Sequence, residues 1–314
     1  MSASETDLEE RLAQLKRQVP TRGLERHPLI LKDVSELSAE LQSPYVASSV
    51  NSDTIQTIIA FPPQIHRGWH YVPKQALLFT PTDVIHLQAS IWPNQEPKAT
   101  YLRGSGLMYM KITLLLLYGF LEIVAQSDTS PTQLGVEFNT VAWYQLSRPL
   151  RQLLQATKAT SNAPTDKTAY TPVAKQAVEN LPFKFSNGTK IYGVLPGEEL
   201  EDLVFQPGIW KRWRLLFRRP VLANTLLLLT SNYVAVIQED LTVKQGWIIS
   251  YIPRSSISGM QSQLRGPWNE LTVRLKRGDQ TTDYKLTLTN EAVQVWRTRW
   301  IQCGGRWEDL PDEV

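Results

Sequence analysis

The chain repeats itself at a spacing of 150 residues, and an internal duplication restricts the possible folds more than any other feature here. "ALLFTPTDVIHLQAS" (76–90) lies over "LLLLTSNYVAVIQED" (226–240), and the register holds without a gap for about 80 residues. Leu77, Leu78 and Thr80 match Leu227, Leu228 and Thr230. Val84, Gln88 and Tyr101 match Val234, Gln238 and Tyr251, while Met110, Leu114 and Leu121 match Met260, Leu264 and Leu271. Fourteen positions are identical over this span, against roughly five for chains of ordinary composition. Upstream, "IQTIIAFPP" (55–63) resembles "LEDLVFQPG" (200–208) at an offset of 145, so the first copy is five residues shorter between these points. Two copies are too few for a solenoid, and two homologous domains in tandem follow.

The flanks of the repeat complete the organisation. Residues 1–44 lie outside it and read as a helical extension. Thr6 with Glu9 forms a capping box ahead of Leu8, Leu12 and Leu15, and a second pattern starts at Asp33 with Val34, Leu37 and Leu41 on one face. Residues 45–156 form domain 1 and residues 190–306 form domain 2. Between them, 157–189 holds a polar, proline-containing linker and the short helix "VAKQAVENL"; residues 307–314 are a tail. A single cysteine, Cys303, rules out an intramolecular disulfide and a cysteine-based metal site, which fits a reducing, cytoplasmic setting. The beginning, "MSASETDLEERL", is polar and acidic, unlike a signal peptide. "ITLLLLYGFLEIVA" (112–125) is too short to span a bilayer as a helix and reads as buried strands.

Within domain 2, "NTLLLLTSNYVAVIQED", "GWIISYIP", "SISGMQ", "WNELTVRLKRG" and "TDYKLTLT" read as a succession of antiparallel strands. Asn290 is placed to cap a helix, "EAVQVWRTRWIQC", that stops at Gly304-Gly305 and sets Ala292, Val293, Trp296 and Trp300 on one face. This layout of strands followed by one amphipathic helix resembles the pleckstrin-homology (PH) fold, in particular the bacterial PH-like domains. The resemblance rests on strand order, domain length and the terminal helix carrying Trp296, and it covers about 220 of the 314 residues. It implies a mainly β chain with α: two tandem PH-like bent-sheet barrels, each closed by a C-terminal helix at about 141–155 and 291–303, plus the N-terminal helical extension. In the first copy Leu146 stands where Trp296 does, and Pro149 is expected to interrupt the helix.

Catalytic signatures are missing. No GxSxG, Walker loop, HExxH or CxxC occurs, and "GSG" at 104–106 lacks the third glycine of a dinucleotide loop. His66, His70 and His86 could supply a three-histidine zinc site, but loop and strand histidines are the plainer reading. The chain therefore reads as a non-enzymatic binding or adaptor protein without a cofactor. A dispersed inter-domain active site is the rival class.

One stretch departs from the rest: "GIWKRWRLLFRRP" (208–220), with Lys211, Arg212, Arg214, Arg218 and Arg219 among Trp210, Trp213 and Phe217. The net charge of the whole chain is only +3, so this is a local basic patch rather than part of an extended nucleic-acid groove. At 100° per residue, Ile209, Trp210, Trp213, Leu216 and Phe217 fall within about 120°, which predicts a short amphipathic helix with a basic opposite face. Lys and Arg beside exposed Trp compose an interfacial anchor. In PH domains that bind phosphoinositides, the first inter-strand loop grips phosphate, so the resemblance implies the location; the basic spacing here differs from the eukaryotic signature. Three readings stand side by side: a solvated helix face, an anionic lipid surface on the inner face of a membrane, and an acidic protein partner of a scaffold that binds no lipid.

Overall fold

In the computed structural model the described residues are 27–48, 50–66, 70–91, 95–127, 130–157, 168–213, 217–243 and 245–309. In chain order the elements are β1 (Leu29–Leu31), α1 (Ala39–Ala47), β2 (Thr57–Phe61), β3 (Gln64–His66), β4 (His70–Val72), β5 (Gln75–Phe79), β6 (Asp83–Gln88), β7 (Lys98–Arg103), β8 (Leu107–Leu115), β9 (Tyr118–Ala125), β10 (Thr132–Asn139) and α2 (Trp143–Ala156). Then follow β11 (Ala169–Tyr170), α3 (Pro172–Glu179), α4 (Phe183–Gly188), β12 (Glu199–Gln206), β13 (Ile209–Trp213), β14 (Phe217–Leu222), β15 (Thr225–Thr230), β16 (Tyr233–Glu239), β17 (Trp247–Pro253), β18 (Ile257–Arg265), β19 (Trp268–Arg277), β20 (Gln280–Leu288) and α5 (Asn290–Gln302). The chain is mainly β with helices. The order strand, hairpin, three strands, three strands, helix occurs twice, and β8 and β18 begin and end 150 residues apart.

Two compact units emerge. The first comprises residues 1–105, 117–120 and 134–156, and the second 106–116, 121–133 and 157–314. In the first, an antiparallel sheet runs β1-β2-β5-β6-β7. β5 is buried along its whole length, and Ile58, Leu78, Ile85 and Leu87 form a core with Leu37 and Leu41. The single helix predicted from Asp33 is split. Asp33 caps a 3-10 turn over Val34–Glu36 by accepting from Ser35 N at 2.7 Å, the chain extends at Leu37 and Ser38, and α1 begins at Ala39. The break lets both leucines reach the core from short elements. The Thr6–Leu15 stretch lies outside the described residues. α2 runs on through Pro149, contrary to the expected interruption. Pro149 is itself buried beside Leu146, Leu150, Leu153 and Leu154, and burying that stripe offsets the roughly 3 kcal/mol cost of an interior proline.

In the second unit the strand order runs β8-β17-β16-β15-β12-β11, antiparallel except for the two-residue parallel pairing of β11 with β12. β18, β19 and β20 make a separate antiparallel sheet. Among the described residues no sheet closes on itself, so the expected barrels are open sheets instead. β17 shows why: its second edge is taken by β8, with Trp247 opposite Leu114 and Tyr251 opposite Met110, and β18 starts a new sheet after a 3-10 turn at Arg254–Ser256. Met108, Val124, Val234, Leu271, Val273, Leu286 and Trp296 lie in one core.

α5 covers that core. Its cap is Thr289, whose hydroxyl accepts from Ala292 N at 3.1 Å, one residue before the expected Asn290. Trp296 Nε1 donates to Met260 Sδ at 3.3 Å, and Trp300 Nε1 donates to the Arg306 carbonyl at 3.0 Å. Gly304 ends the helix at φ +78°, and a Cβ on Gly305 would sit 2.0 Å from the Trp300 ring, so alanine cannot replace it there without displacing the indole. Arg299 reaches from α5 to the Asp202 carboxylate and the Leu203 carbonyl of β12. On the same strand Thr171 Oγ1 donates to the Glu201 carbonyl at 2.9 Å.

Glu198 pins the β15–β16 turn. It is 1% exposed and accepts from Thr230 Oγ1 (3.2 Å), Ser231 Oγ (2.9 Å), Asn232 N (3.0 Å) and Asn232 Nδ2 (3.0 Å). A buried carboxylate is tolerated only when its oxygens are satisfied in this way. Glu198→Ala strands these donors and is expected to cost about 2–4 kcal/mol. Glu198→Gln keeps one acceptor oxygen and should cost less. Urea denaturation midpoints check the order, and equal midpoints for wild type and Glu198→Ala would refute the role.

Candidate anion-docking site

The stretch 208–220 is a β-hairpin, not the predicted helix. β13 pairs antiparallel with β14 in the register Ile209 to Leu222, Trp210 to Pro220, Lys211 to Arg219, Arg212 to Arg218 and Trp213 to Phe217, with an irregularity between Ile209 and Trp210. Tertiary placement decides the outcome. The segment leaves β12 and returns to β15, its antiparallel neighbour, so a hairpin joins them without a change of direction. Its base is closed by Gly208 N, which donates to Asn224 Oδ1 at 2.6 Å. Ile, Trp and Phe also suit strands better than helices.

That register sets two cationic pairs on adjacent rungs, Lys211 with Arg219 and Arg212 with Arg218. Like charges directly opposite each other destabilise a hairpin, and a bound anion relieves the repulsion. Trp210 is 48% exposed, and Lys211 is exposed with its Nζ 5.9 Å from the centre of the Trp268 ring. For Arg212, Trp213, Phe217, Arg218 and Arg219 the structure gives backbone positions; Arg214 lies outside the described residues.

The hairpin leaves one end of the second unit's main sheet. Cα partners carry that end across the strands from Gln206 to Thr225, Gln238, Ile248 and Thr113. A cleft of about 310 Å³ lies there, lined by Trp210, Pro220, Leu222, Leu241 and Lys184 among others. Lys184 bonds Glu239 at 2.5 Å and its ammonium lies 4.4 Å from the centre of the Trp247 ring. Leu241 is 45% exposed. Neither Lys184 nor Leu241 was expected at the site. "DLT" (240–242) after the β16 strand marks a loop, but only strand register places that loop beside the hairpin.

Other candidate chemistry disperses. His66 and His70 are Cα partners in the β3–β4 backbone ladder, while His86 lies buried in β6 and pairs with Gln75 Oε1 at 3.0 Å. Among the described residues no group of three or more His, Cys, Asp or Glu is placed to hold a metal ion. In the second unit Tyr109 donates to Glu122, and burial followed by that carboxylate pushes its phenol far up. Tyr284 bonds Ser250 Oγ at 2.7 Å and is pushed up to about 12 by burial. Both phenols stay protonated through neutral pH and serve as hydrogen-bond donors. Among the described residues no helix is long and apolar enough to cross a membrane. No family model matches the chain, and no curated protein matches it significantly.

His86 generates a pH test. Burial, with the nearby Lys98 charge second, lowers its pKa to about 4, against about 6.5 in the unfolded chain. Above pH 6.5 neither state is protonated there and the group is neutral to stability. As pH falls from about 6.5 to about 4, the unfolded chain takes up a proton that the folded chain refuses, so stability is lost, by about 3 kcal/mol in all. His86→Gln should flatten this part of the stability profile whatever its effect at pH 7. Parallel slopes for the two proteins between pH 6.5 and 5 would refute the assignment.

Proposed function

We propose that the chain is a non-enzymatic binding protein built from two PH-like modules, and that its β13–β14 hairpin docks on an anionic membrane surface from the cytoplasmic side. The observation that carries this reading is the hairpin register. It sets four cationic positions on two adjacent rungs, next to a half-exposed Trp210 at one end of a sheet. The PH-like part is supported by the order β12, hairpin, β15, β16, β17, then β18-β19-β20, then α5, which places the basic segment between the first two strands of the module. That is where PH domains hold phosphate.

Energetics favour a surface over a single anion. Each Lys or Arg near an anionic bilayer contributes about 1 kcal/mol, so five give weak but useful recruitment. Partial insertion of an indole adds a term that salt does not screen. Lys211 stands opposite Arg219 and Arg212 opposite Arg218 in the register, and like charges paired across a hairpin favour a phosphate-bearing surface. Nucleic acid is disfavoured because the basic run is confined to this stretch.

The full chain should co-sediment with phosphatidylserine-containing vesicles and ignore pure phosphatidylcholine. Binding should fall as salt rises, since the Debye length shortens from about 10 Å at 0.1 M to about 3 Å at 1 M. Replacing Arg214, Arg218 and Arg219 together by Glu should abolish recruitment with an unchanged circular dichroism spectrum. Trp210→Ala should weaken binding by about tenfold at every salt concentration. Equal partition of wild type and the triple Glu variant would sink the proposal.

A further inference from the structure

The two repeats treat one place differently. Strand register confirms how they align. Thr57 opposite Phe79, Ile58 opposite Leu78 and Phe61 opposite Gln75 in the first copy repeat Asp202 opposite Leu229, Leu203 opposite Leu228 and Gln206 opposite Thr225 in the second. The offset of 145 then sets Asp53 at the place of Glu198. The offset of 150 sets Thr80, Pro81, Thr82 and Asp83 at Thr230, Ser231, Asn232 and Tyr233. In the second unit the buried Glu198 carboxylate fills this place and is held by donors from the turn. In the first, a 3-10 turn forms over Ser52–Thr54 and Asp53 is exposed. Between it and the 80–83 turn a cleft of about 670 Å³ opens, and its lining lies wholly within the first unit.

The exchange also inverts the polarity of the place. Pro81 has no hydroxyl where Ser231 has one, and Thr82 lacks the side-chain amide of Asn232. The main-chain N–H groups of Thr82 and Asp83 both donate to Thr80 Oγ1, at 3.3 and 2.9 Å. The donors that grip a carboxylate in the second repeat are thus replaced or already engaged in the first. A carboxylate stands there instead. Asp83 Oδ2 accepts from the Tyr101 hydroxyl at 2.7 Å and Oδ1 accepts from Gly104 N at 3.2 Å, which fixes the group, and each oxygen can accept a further bond. Asp53, Asn51 and Gln56 line the same cleft, and Tyr101 beside them is 44% exposed. Among the described residues no basic side chain lines it. Arg103 stands opposite Asp83 in the β6–β7 ladder and neighbours Tyr101, but it is not part of the lining.

We propose that this cleft binds a small organic polyamine, with Asp83 and Asp53 receiving ammonium groups and the Tyr101 ring lying beside the cationic chain. The site goes beyond the hairpin reading and does not depend on it. A cation fits because the acceptors of the cleft include two carboxylates and its lining holds no positive side chain. Ammonium donors form charge-assisted hydrogen bonds with carboxylates, and an exposed phenol ring adds a cation–π contact. A bare metal ion fits less well, since among the described residues no three acidic or histidine groups converge. Two carboxylates on separate turns match a ligand that carries a charge at each end. The second repeat shows the same logic with the sign reversed: there the charge that fills the turn belongs to the protein itself, and here it is supplied from solution.

Isothermal titration of the full chain with spermidine at physiological salt tests this. Wild type should bind in a single saturable event, and Asp83→Asn should weaken binding about tenfold. Because Asp83 also holds Gly104 and Tyr101, Asp53→Asn provides a second test at an exposed side chain, with a loss of similar size and an unchanged melting temperature. A triple variant, Asp53→Glu with Pro81→Ser and Thr82→Asn, rebuilds the plug of the second repeat and should lose spermidine binding while melting no lower than wild type. The hairpin variant with Arg214, Arg218 and Arg219 replaced by Glu should retain the site, so failure of membrane docking leaves this inference standing. No saturable binding by wild type would overturn it, as would equal affinity in wild type and both Asp→Asn variants. Displacement of spermidine by an equal concentration of magnesium would also overturn it, since general attraction of cations would then explain the signal. So would binding of a lysine-rich peptide with none of spermidine, since the occupant would then be a protein segment.

Discussion

The main-chain ladder between β17 and β8 governs the rest of the second unit. Residues 110–114, from the middle of the chain, pair with 247–251, so an edge that would otherwise be free for β18 is occupied. The consequences follow in order. The sheet stays open, β18 starts a second sheet, and Met108 and Val124 enter a core made otherwise from the second half of the chain. The same ladder fixes the end of β8 against the β16–β17 loop, so a turn from one repeat and a hairpin from the other share a sheet end. Main-chain hydrogen bonds tolerate little slippage here, because a shift of one residue would turn the buried face of β8 outward.

Charge and packing are kept apart in this unit. The buried carboxylate of Glu198 is saturated by four donors from one turn, and the Arg299 guanidinium is shared between Asp202 and a main-chain carbonyl. These groups are satisfied internally and hold the scaffold. At the hairpin the balance is reversed, since cation stands opposite cation in the ladder. Internal pairing stabilises the frame, while the hairpin's ladder sets cationic positions opposite one another.

Much of the architecture was legible in the sequence because it is local and repeated. Alternating Leu271, Val273 and Leu275 fall on β19, and Ala292, Val293, Trp296 and Trp300 are the buried face of α5. The repeat offset likewise reappears in β8 and β18. The misses have physical causes. Charged residues on adjacent rungs and an irregularity between Ile209 and Trp210 break the period-two pattern of the hairpin, so a helical period fitted the apolar residues better. Pro149 is tolerated because the surrounding leucine stripe is buried, which local propensity does not show. The pairing of β8 with β17 leaves no local trace at all, because an edge partner over a hundred residues away changes neither periodicity nor turn signals. For the same reason the basic segment was visible as composition, whereas its neighbours Leu241 and Lys184 were not.

The outer edge of β12 shows what such a scaffold prevents. Along it the carbonyls of Glu198 and Leu200 accept from Ala169 N and Thr171 N, that of Glu201 accepts from the Thr171 hydroxyl, and that of Leu203 accepts from Arg299. A row of acceptors that could template an incoming strand is thus occupied by a two-residue strand, a hydroxyl and a guanidinium. Two of these donors come from side chains, so the protection can fail one residue at a time. Loss of Arg299 would uncover the Leu203 acceptor on this margin, so the cost of losing that side chain would be paid in strand-edge protection as well as in the fold.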